Sequence, residues 1–286
     1  MAAHDKLTIV AIYGHTDGSS AIPSLLVSKA QLPGARALLV SPKKPRGLPK
    51  DIAWKRCFPM NYQQYSVFCI HCLYHYIKTE YCLIVQDDSW VLNGENFHEH
   101  YYDYDYVGAP AHAAMVGDIF HIQWSWLGKE AALEVQNGGF SLRSRRLLKA
   151  PTFCGLPYIP FPQQPFCNED VQLTSFHRRA LESLGLKFAP KEVAKHFSVE
   201  YMGPGFHDDL DFNTLVGCHA PTRQLMQDKV VFNKHSITQN STYFREMDFL
   251  QWLQSKGYSI QFGPHHDSAS TAHQDRTQAS GQKAAA

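Results

Sequence analysis

Two periodicities share this chain. Leu7-Thr8-Ile9-Val10-Ala11-Ile12-Tyr13 is an apolar run that reads as a buried strand, and Ile22 to Lys29 carries apolar residues at helical spacing. Pro33-Gly34 ends that helix, and Ala35 to Val40 reads as a second strand. Strand, helix, strand is how a parallel sheet with a crossover helix begins. No Gly-x-Gly-x-x-Gly follows the first strand, so it is not a dinucleotide fingerprint. Ser41 to Lys50, with three prolines and four basic residues, is a loop with a solvated basic surface. Asn61 then caps a helix whose Tyr65, Phe68, Cys72 and Tyr76 share one face. Tyr81-Cys82-Leu83-Ile84-Val85 is a buried strand that runs directly into Gln86-Asp87-Asp88.

The second half alternates less cleanly. Tyr101 to Ala109 is a strand candidate, and residues 111–134 have so little periodicity that they read as loop with short helix. Gln136 to Leu142 contains Gly138-Gly139, and Ser144 to Lys149 forms one or two helical turns. Pro151 to Pro165 holds five prolines and reads as loop. Asn168 then opens a helix, with Glu169 and Asp170 in its first turn, Leu173, Phe176, Ala180, Leu181 and Leu184 as its apolar stripe, and Gly185 as its stop. Short strands are expected at Lys187 to Pro190 and His196 to Glu200, and a last helix at Met247 to Lys256 before a strand ending at Phe262. From Gly263 to Ala286 there is no Leu, Ile, Val, Met, Phe, Tyr or Trp, so this tail is expected to be disordered. Residues 1–262 read as one α/β domain.

Composition narrows the function. The chain has 286 residues, is 44% hydrophobic and carries a net charge of +1, so bulk attraction to nucleic acid is excluded. No apolar run approaches the roughly 18–20 residues of a membrane span. Met1 to Asp5 leads straight into the first strand without the basic and apolar regions of a signal peptide, which makes the cytoplasm the expected location. The seven cysteines are scattered, and Cys69-Ile70-His71-Cys72 has no second pair; they read as small buried thiols in a reducing compartment.

Four places carry candidate chemistry. Carboxylates after a strand end, Asp87 and Asp88, suit a hard divalent cation that also grips a diphosphate, although Asp is also common in strand-ending turns. Gly138-Gly139 allows either a close backbone approach to a ligand or positive φ in a tight turn. Glu169 and Asp170 complement a helix dipole, and a carboxylate there in a cleft could equally act as a general base. His219 is a late, isolated imidazole.

Their order, an acidic strand end, a glycine pair, an acidic helix start and a late His, resembles the GT-A glycosyltransferases. Within these the chain is similar to a family catalogued as a domain of unknown function and regarded as glycosyltransferases. The resemblance runs from about Leu7 to His219 and rests on Leu83 to Asp88, Asp105-Tyr106-Val107-Gly108-Ala109-Pro110, Asn137-Gly138-Gly139-Phe140-Ser141-Leu142-Arg143-Ser144, Asn168-Glu169-Asp170-Val171, Ala189-Pro190, Ala194, Phe197-Ser198-Val199-Glu200 and Gly217-Cys218-His219.

The resemblance implies a GT-A (Rossmann-like) fold, a mixed, mainly parallel sheet flanked by helices in one domain, with a core over residues 7–225 and an extension over 226–262. It implies transfer of a sugar from a nucleotide-diphosphate donor to an acceptor hydroxyl on a glycan, lipid or small molecule. Asp170 stands where the base does in inverting members, with Glu169 orienting it or the acceptor. Asp88 and His219 match positions that hold a divalent metal, Mn²⁺ or Mg²⁺. Gly138 and Gly139 match the glycine loop, and Gln86 and Asp87 fall in the element that faces the nucleotide diphosphate. Tyr13, Gly14 and His15 end the first strand, where a nucleobase or ribose could bind, although Gly14 and His15 could equally form a simple turn. Gln86 replaces the first Asp of the general pattern, and Cys218 and Ala220 flank His219 where the family more often has an aromatic and a Gly. A catalytically silent GT-A scaffold that binds a sugar nucleotide or a protein partner is the alternative. A metal-dependent phosphohydrolase would use the same acids but needs a denser His/Asp set for two metals.

Overall fold

All six residues of β1 (Leu7–Ile12) are buried, as befits a strand covered on both faces. In the computed structural model, which describes residues 4–116, 119–122, 133–160, 167–200, 202–234 and 244–263, β1 is followed by α1 (Ile22–Gln31) and β2 (Arg36–Ser41). Then come β3 (Ile52–Arg56), α2 (Tyr62–His71), β4 (Tyr81–Ile84), β5 (Ser89–Val91), β6 (Tyr106–Val116), β7 (Ile119–Ile122), β8 (Leu133–Ser144) and α3 (Arg145–Phe153). The chain continues through α4 (Glu169–Val171), α5 (Arg178–Ser183), α6 (Lys191–Phe197), β9 (Ser198–Val199), β10 (Gly217–His219), β11 (Arg223–Gln227), β12 (Val230–Asn233), α7 (Glu246–Ser255) and β13 (Ser259–Phe262).

The central sheet has the order β3-β2-β1-β4-β8-β6-β7. β3, β2, β1 and β4 are parallel to one another, β8 is antiparallel to both β4 and β6, and β7 is antiparallel to β6. Five of the seven strands therefore run one way, which makes this a mixed, mostly parallel α/β sheet. Alternate β1 residues serve opposite layers. Leu7, Ile9 and Ala11 pack with Leu25 of α1, whereas Val10 and Ile12 pack with Phe68 and Cys69 of α2. Each such buried side chain contributes roughly 1.5–3 kcal/mol. Two three-stranded sheets complete the chain, β5-β10-β9 and β11-β12-β13. The second packs with α7 on Trp90, Val199 and Leu215 through Leu225, Val231, Phe249 and Leu253. Among the described residues no helix is long and apolar enough to cross a membrane, and all seven cysteines are free thiols, with Cys154 exposed.

Several expectations need correction. Within 111–134, read as loop with short helix, the described residues are the end of β6, β7 and the start of β8, and 117–118 and 123–132 lie outside the described residues. The alanines of β6, from Ala109 to Ala114, give too little contrast between faces to show a period. The strand expected from Tyr101 starts only at Tyr106, after a 3-10 turn over Glu99–Asp103. Gly138-Gly139 is not a turn between elements but lies within β8. Pro151 lies inside α3 rather than in a loop, and β3, paired to β2, follows the proline-rich loop unannounced. The expected strand at Lys187 to Pro190 is a single bridge between Tyr106 and Phe188, and most of His196 to Glu200 divides between the end of α6 and β9. The tail from residue 264 lies outside the described residues.

Candidate active site

Sheet register brings the candidate segments to one end of the molecule. Val85 donates its amide to Val10 O, so Gln86-Asp87-Asp88 leaves β4 beside the loop that follows β1. β8 runs antiparallel to β4 with Ile84 opposite Ser141, which carries Gly138 and Gly139 past the same end. Ser89 ties the two together: its hydroxyl donates to Gly139 O at 2.7 Å and accepts from Gln86 N at 2.7 Å. β10 pairs with β5 so that His219 stands opposite Ser89, next to Asp88.

His219 lies between two carboxylates. Its Nε2 is 3.3 Å from Asp88 Oδ1 and its Nδ1 is 3.3 Å from Glu200 Oε1, on side chains that are at most 15% exposed. Neither contact is aligned as a hydrogen bond at Asp88 Oδ1 or His219 Nδ1, and both atoms, with Glu200 Oε2, are buried without a hydrogen-bond partner. Burial opposes protonation of the imidazole, but the Asp88 and Glu200 carboxylates outweigh it and raise its pKa well above the usual value. Asp88 Oδ1 and His219 Nε2 at this separation fit two ligands of one cation once the imidazole gives up its proton, with Glu200 behind it at Nδ1 as the orienting carboxylate.

The glycine pair makes this packing possible. A Cβ on Gly139 would stand 2.5 Å from His219 Nε2, and one on Gly138 would collide with Glu169 Oε1 and lie 3.0 Å from the Asp170 Cβ. Neither glycine has positive φ, so close approach, not a special turn, is what requires them. Asn137 shapes the bulge here, its Oδ1 accepting from Gly139 N at 2.7 Å, where the β6–β8 register shifts.

Glu169 and Asp170 have different environments. Glu169 Oε1 accepts from Arg143 Nη2 at 2.7 Å, and Arg143 is fully buried over the Tyr106 ring. Glu169 is therefore a partner in a buried ion pair rather than a free acid. Asp170 stays partly exposed, accepting from Gly138 N at 2.9 Å and from Val171 N at 2.7 Å. Burial, then the nearby charges of Glu169 and Glu200, raise its carboxyl to about 7. Asn168 precedes the helix as expected but makes no side-chain cap bond. The single helix read from the sequence is broken by a π turn over Gln172–Phe176, where Thr174 Oγ1 donates to Asp170 O at 2.6 Å and accepts from Gln136 N at 3.0 Å. Such turns recur where a helix must re-aim a functional residue.

Beside Asp88 a cavity of about 340 Å³ opens at the ends of β1 and β4. Tyr13, Gly14, His15, Gln86 and Asp87 all line it, together with Met60, Asn61, Tyr62 and Tyr65 from the start of α2. Tyr13 fixes its floor, its hydroxyl accepting from Asp87 N at 3.0 Å, and Met60 N donates to Gly14 O at 2.7 Å. Asn61 and Gln64 form a capping box that holds the helix start in place.

The model of a family described as a protein of unknown function, DUF5672, matches residues 53–219. The chain belongs to that family. The matched span ends on His219 and takes in every residue of the Asp88, Gly138-Gly139, Glu169-Asp170 and Glu200 constellation in this DUF5672 protein, but not Tyr13, Gly14 or His15. A search of curated proteins gives no match. Among solved structures, the galactosyltransferase LgtC in complex with donor and acceptor sugar analogs is similar at a TM-score of 0.42 and 12% identity, covering 87% of this chain and 95% of that one. An active-site mutant of LgtC is similar at 0.44 and 13%, with the same coverage.

Three participants escaped the sequence reading as site residues. Glu200 was visible only as the end of a family string, Arg143 only as the end of the glycine motif, and Met60 to Tyr65 only as a helix start. Their roles depend on contacts from distant segments, which spacing along the chain does not encode.

Proposed function

We propose that this DUF5672 protein transfers a sugar from a nucleoside-diphosphate donor to an acceptor hydroxyl. The observation that carries this reading is what meets across Gly138-Gly139: a partly exposed carboxyl titrating near neutrality on one side, and an Asp–His pair without a hydrogen bond of its own on the other. The cavity lined by Tyr13 and Asn61 would take the nucleoside, with Gln86 and Asp87 facing its phosphates. Asp170 would accept the proton of the attacking hydroxyl, a contribution of about 10²–10⁴-fold. Arg143 would keep Glu169 turned inward, leaving Asp170 as the available base.

Asp88 and His219 would hold a divalent cation, Mn²⁺ or Mg²⁺, whose chemistry is to neutralise the charge that builds on a departing diphosphate. Among the described residues no group of three or more His, Cys, Asp or Glu is arranged to hold a metal. A two-residue attachment leaves the other coordination positions to phosphate oxygens and water, which suits a cation that arrives with its donor.

The test is a thermal-shift panel of nucleoside diphosphates and their sugars, each with and without Mn²⁺, followed by turnover of whichever donor binds. A ligand at about 100 times its Kd adds roughly 2.7 kcal/mol, so the donor is visible. A Mn²⁺-dependent shift with turnover supports the reading. Gln86 in place of an acid favours the silent scaffold, which predicts metal-independent binding and no turnover. Release of phosphate from generic phosphoesters would instead indicate a phosphohydrolase.

A further inference from the structure

A second cavity, of about 380 Å³, lies at the opposite end of β4. Lys78, Thr79, Glu80 and Tyr81 form one wall where the chain enters β4; Ser144, Arg145, Arg146 and Lys149 form the other where β8 passes into α3. From Tyr81 to Asp88 the chain spans roughly 20 Å of strand and turn, so this cavity is separate from the candidate active site.

Its charge is unbalanced. Four cations and two acids line it, but one of each is spent on the other. Asp105 takes two bonds from Arg146, at 2.8 and 2.7 Å, and its remaining capacity is filled by the Ser144 hydroxyl and Lys187 N. Lys78, Arg145 and Lys149 have no carboxylate partner among the described residues, and only Glu80 opposes them. Arg145 is anchored by its Nε on Ile77 O at 3.0 Å and by its amide on Glu80 O, which sets the guanidinium at the cavity wall.

The cations also oppose local helix electrostatics. Arg145 and Arg146 occupy the first turn of α3, with no acid there, and Lys149 follows one turn later. A helix N-terminus bears about half a positive charge, so cations in that turn need an anion; Asp105 serves Arg146 and the Ser144 cap, which leaves Arg145 and Lys149 without one. An anion would satisfy the three unpaired side chains together.

We propose that this cavity binds a phosphate-bearing anion, independently of the donor site. The phosphate could come from a soluble phosphorylated molecule or from a lipid headgroup, and the experiment separates them. Inorganic pyrophosphate is titrated calorimetrically into the full chain at fixed ionic strength, with a chelator present so that metal-dependent phosphate binding at Asp88 and His219 is silent. In parallel, the chain is sedimented with phosphatidylcholine vesicles with and without phosphatidic acid. Saturable pyrophosphate binding, weakened about tenfold, or ~1.4 kcal/mol, by either Lys149→Glu or Lys78→Glu and unchanged by Asp88→Asn, supports a soluble ligand. Co-sedimentation only with phosphatidic acid, lost in the same two variants, assigns the lipid source. Both lysines lie outside the core and lack ion-pair partners, so the variants should keep the wild-type thermal midpoint. The proposal is overturned if neither probe binds, if both lysine variants bind as the wild type does, or if Asp88→Asn abolishes the binding.

Discussion

The His219 imidazole fills the space that a side chain at Gly139 would need, with Nε2 2.5 Å from the position of a Cβ. The glycine pair and the late His are therefore one feature of the fold. Gly139→Ala must push the ring away from Asp88 or shift β8, at a cost of roughly 1–3 kcal/mol. The expected outcome is a folded protein with a lowered thermal midpoint and no Mn²⁺-dependent nucleotide shift. A variant that keeps the full shift would separate His219 from metal binding.

The Arg143–Glu169 pair should behave as a unit. Both side chains are buried at 0% and 8% exposure, so removing one partner strands the other in the interior, at about 3–5 kcal/mol. Arg143→Met and Glu169→Gln should each destabilise by that order in chemical denaturation. The double variant should lose clearly less than their sum, because neither charge is then left uncompensated. Additive losses would mean that the pair contributes through its other contacts, such as Arg143 Nε to Ser141 Oγ at 3.0 Å.

Part of this arrangement was legible because β1, α1, β2 and β4 are strongly patterned, and Tyr13 to His15 and Gln86 to Asp88 directly follow two of these strands. The Asp87-Asp88 turn was placed by the apolar run of β4, and the helix stop at Gly185 is met with φ of 78°. What stayed hidden depends on tertiary contacts. The π turn after Val171 exists because Thr174 bridges Asp170 and Gln136, residues from two elements. β6 is rich in small residues, and its pairing with β8, not an alternation of hydrophobicity, defines the strand. The resemblance separated Asp170 as base from Glu169 as orienter, but the ion pair of Glu169 with buried Arg143 could not be read from spacing.

The pH dependence should follow Asp170. A base works deprotonated, and burial with neighbouring charge raises this carboxyl to about 7. Once a donor is in hand, turnover should rise with pH and reach half its plateau near neutrality. Asp170→Asn should remove that rising limb and about 10²–10⁴-fold of the rate while donor binding persists. The same shift has a stability consequence. A carboxyl whose folded pKa lies above its unfolded one holds its proton more tightly when folded. Its stabilising contribution is full below the ordinary carboxylate range and is lost as pH rises through about 7. A turnover profile flat across neutrality would remove Asp170 from the role of base.

Tyr13 and His15 line the same cavity but should respond differently when removed. Tyr13 is half-buried, and its hydroxyl is the acceptor for Asp87 N at 3.0 Å. Tyr13→Phe leaves that amide unmet and loosens the turn that carries Asp88, at roughly 1–3 kcal/mol. Both thermal stability and nucleotide affinity should fall. His15 is exposed on the rim, so His15→Ala should leave the thermal midpoint unchanged and weaken nucleotide binding alone. If His15→Ala binds nucleotide as the wild type does while Tyr13→Phe loses both properties, then Tyr13 acts by shaping the Asp87-Asp88 turn. The nucleoside would then have to sit deeper, against Met60 and Tyr65.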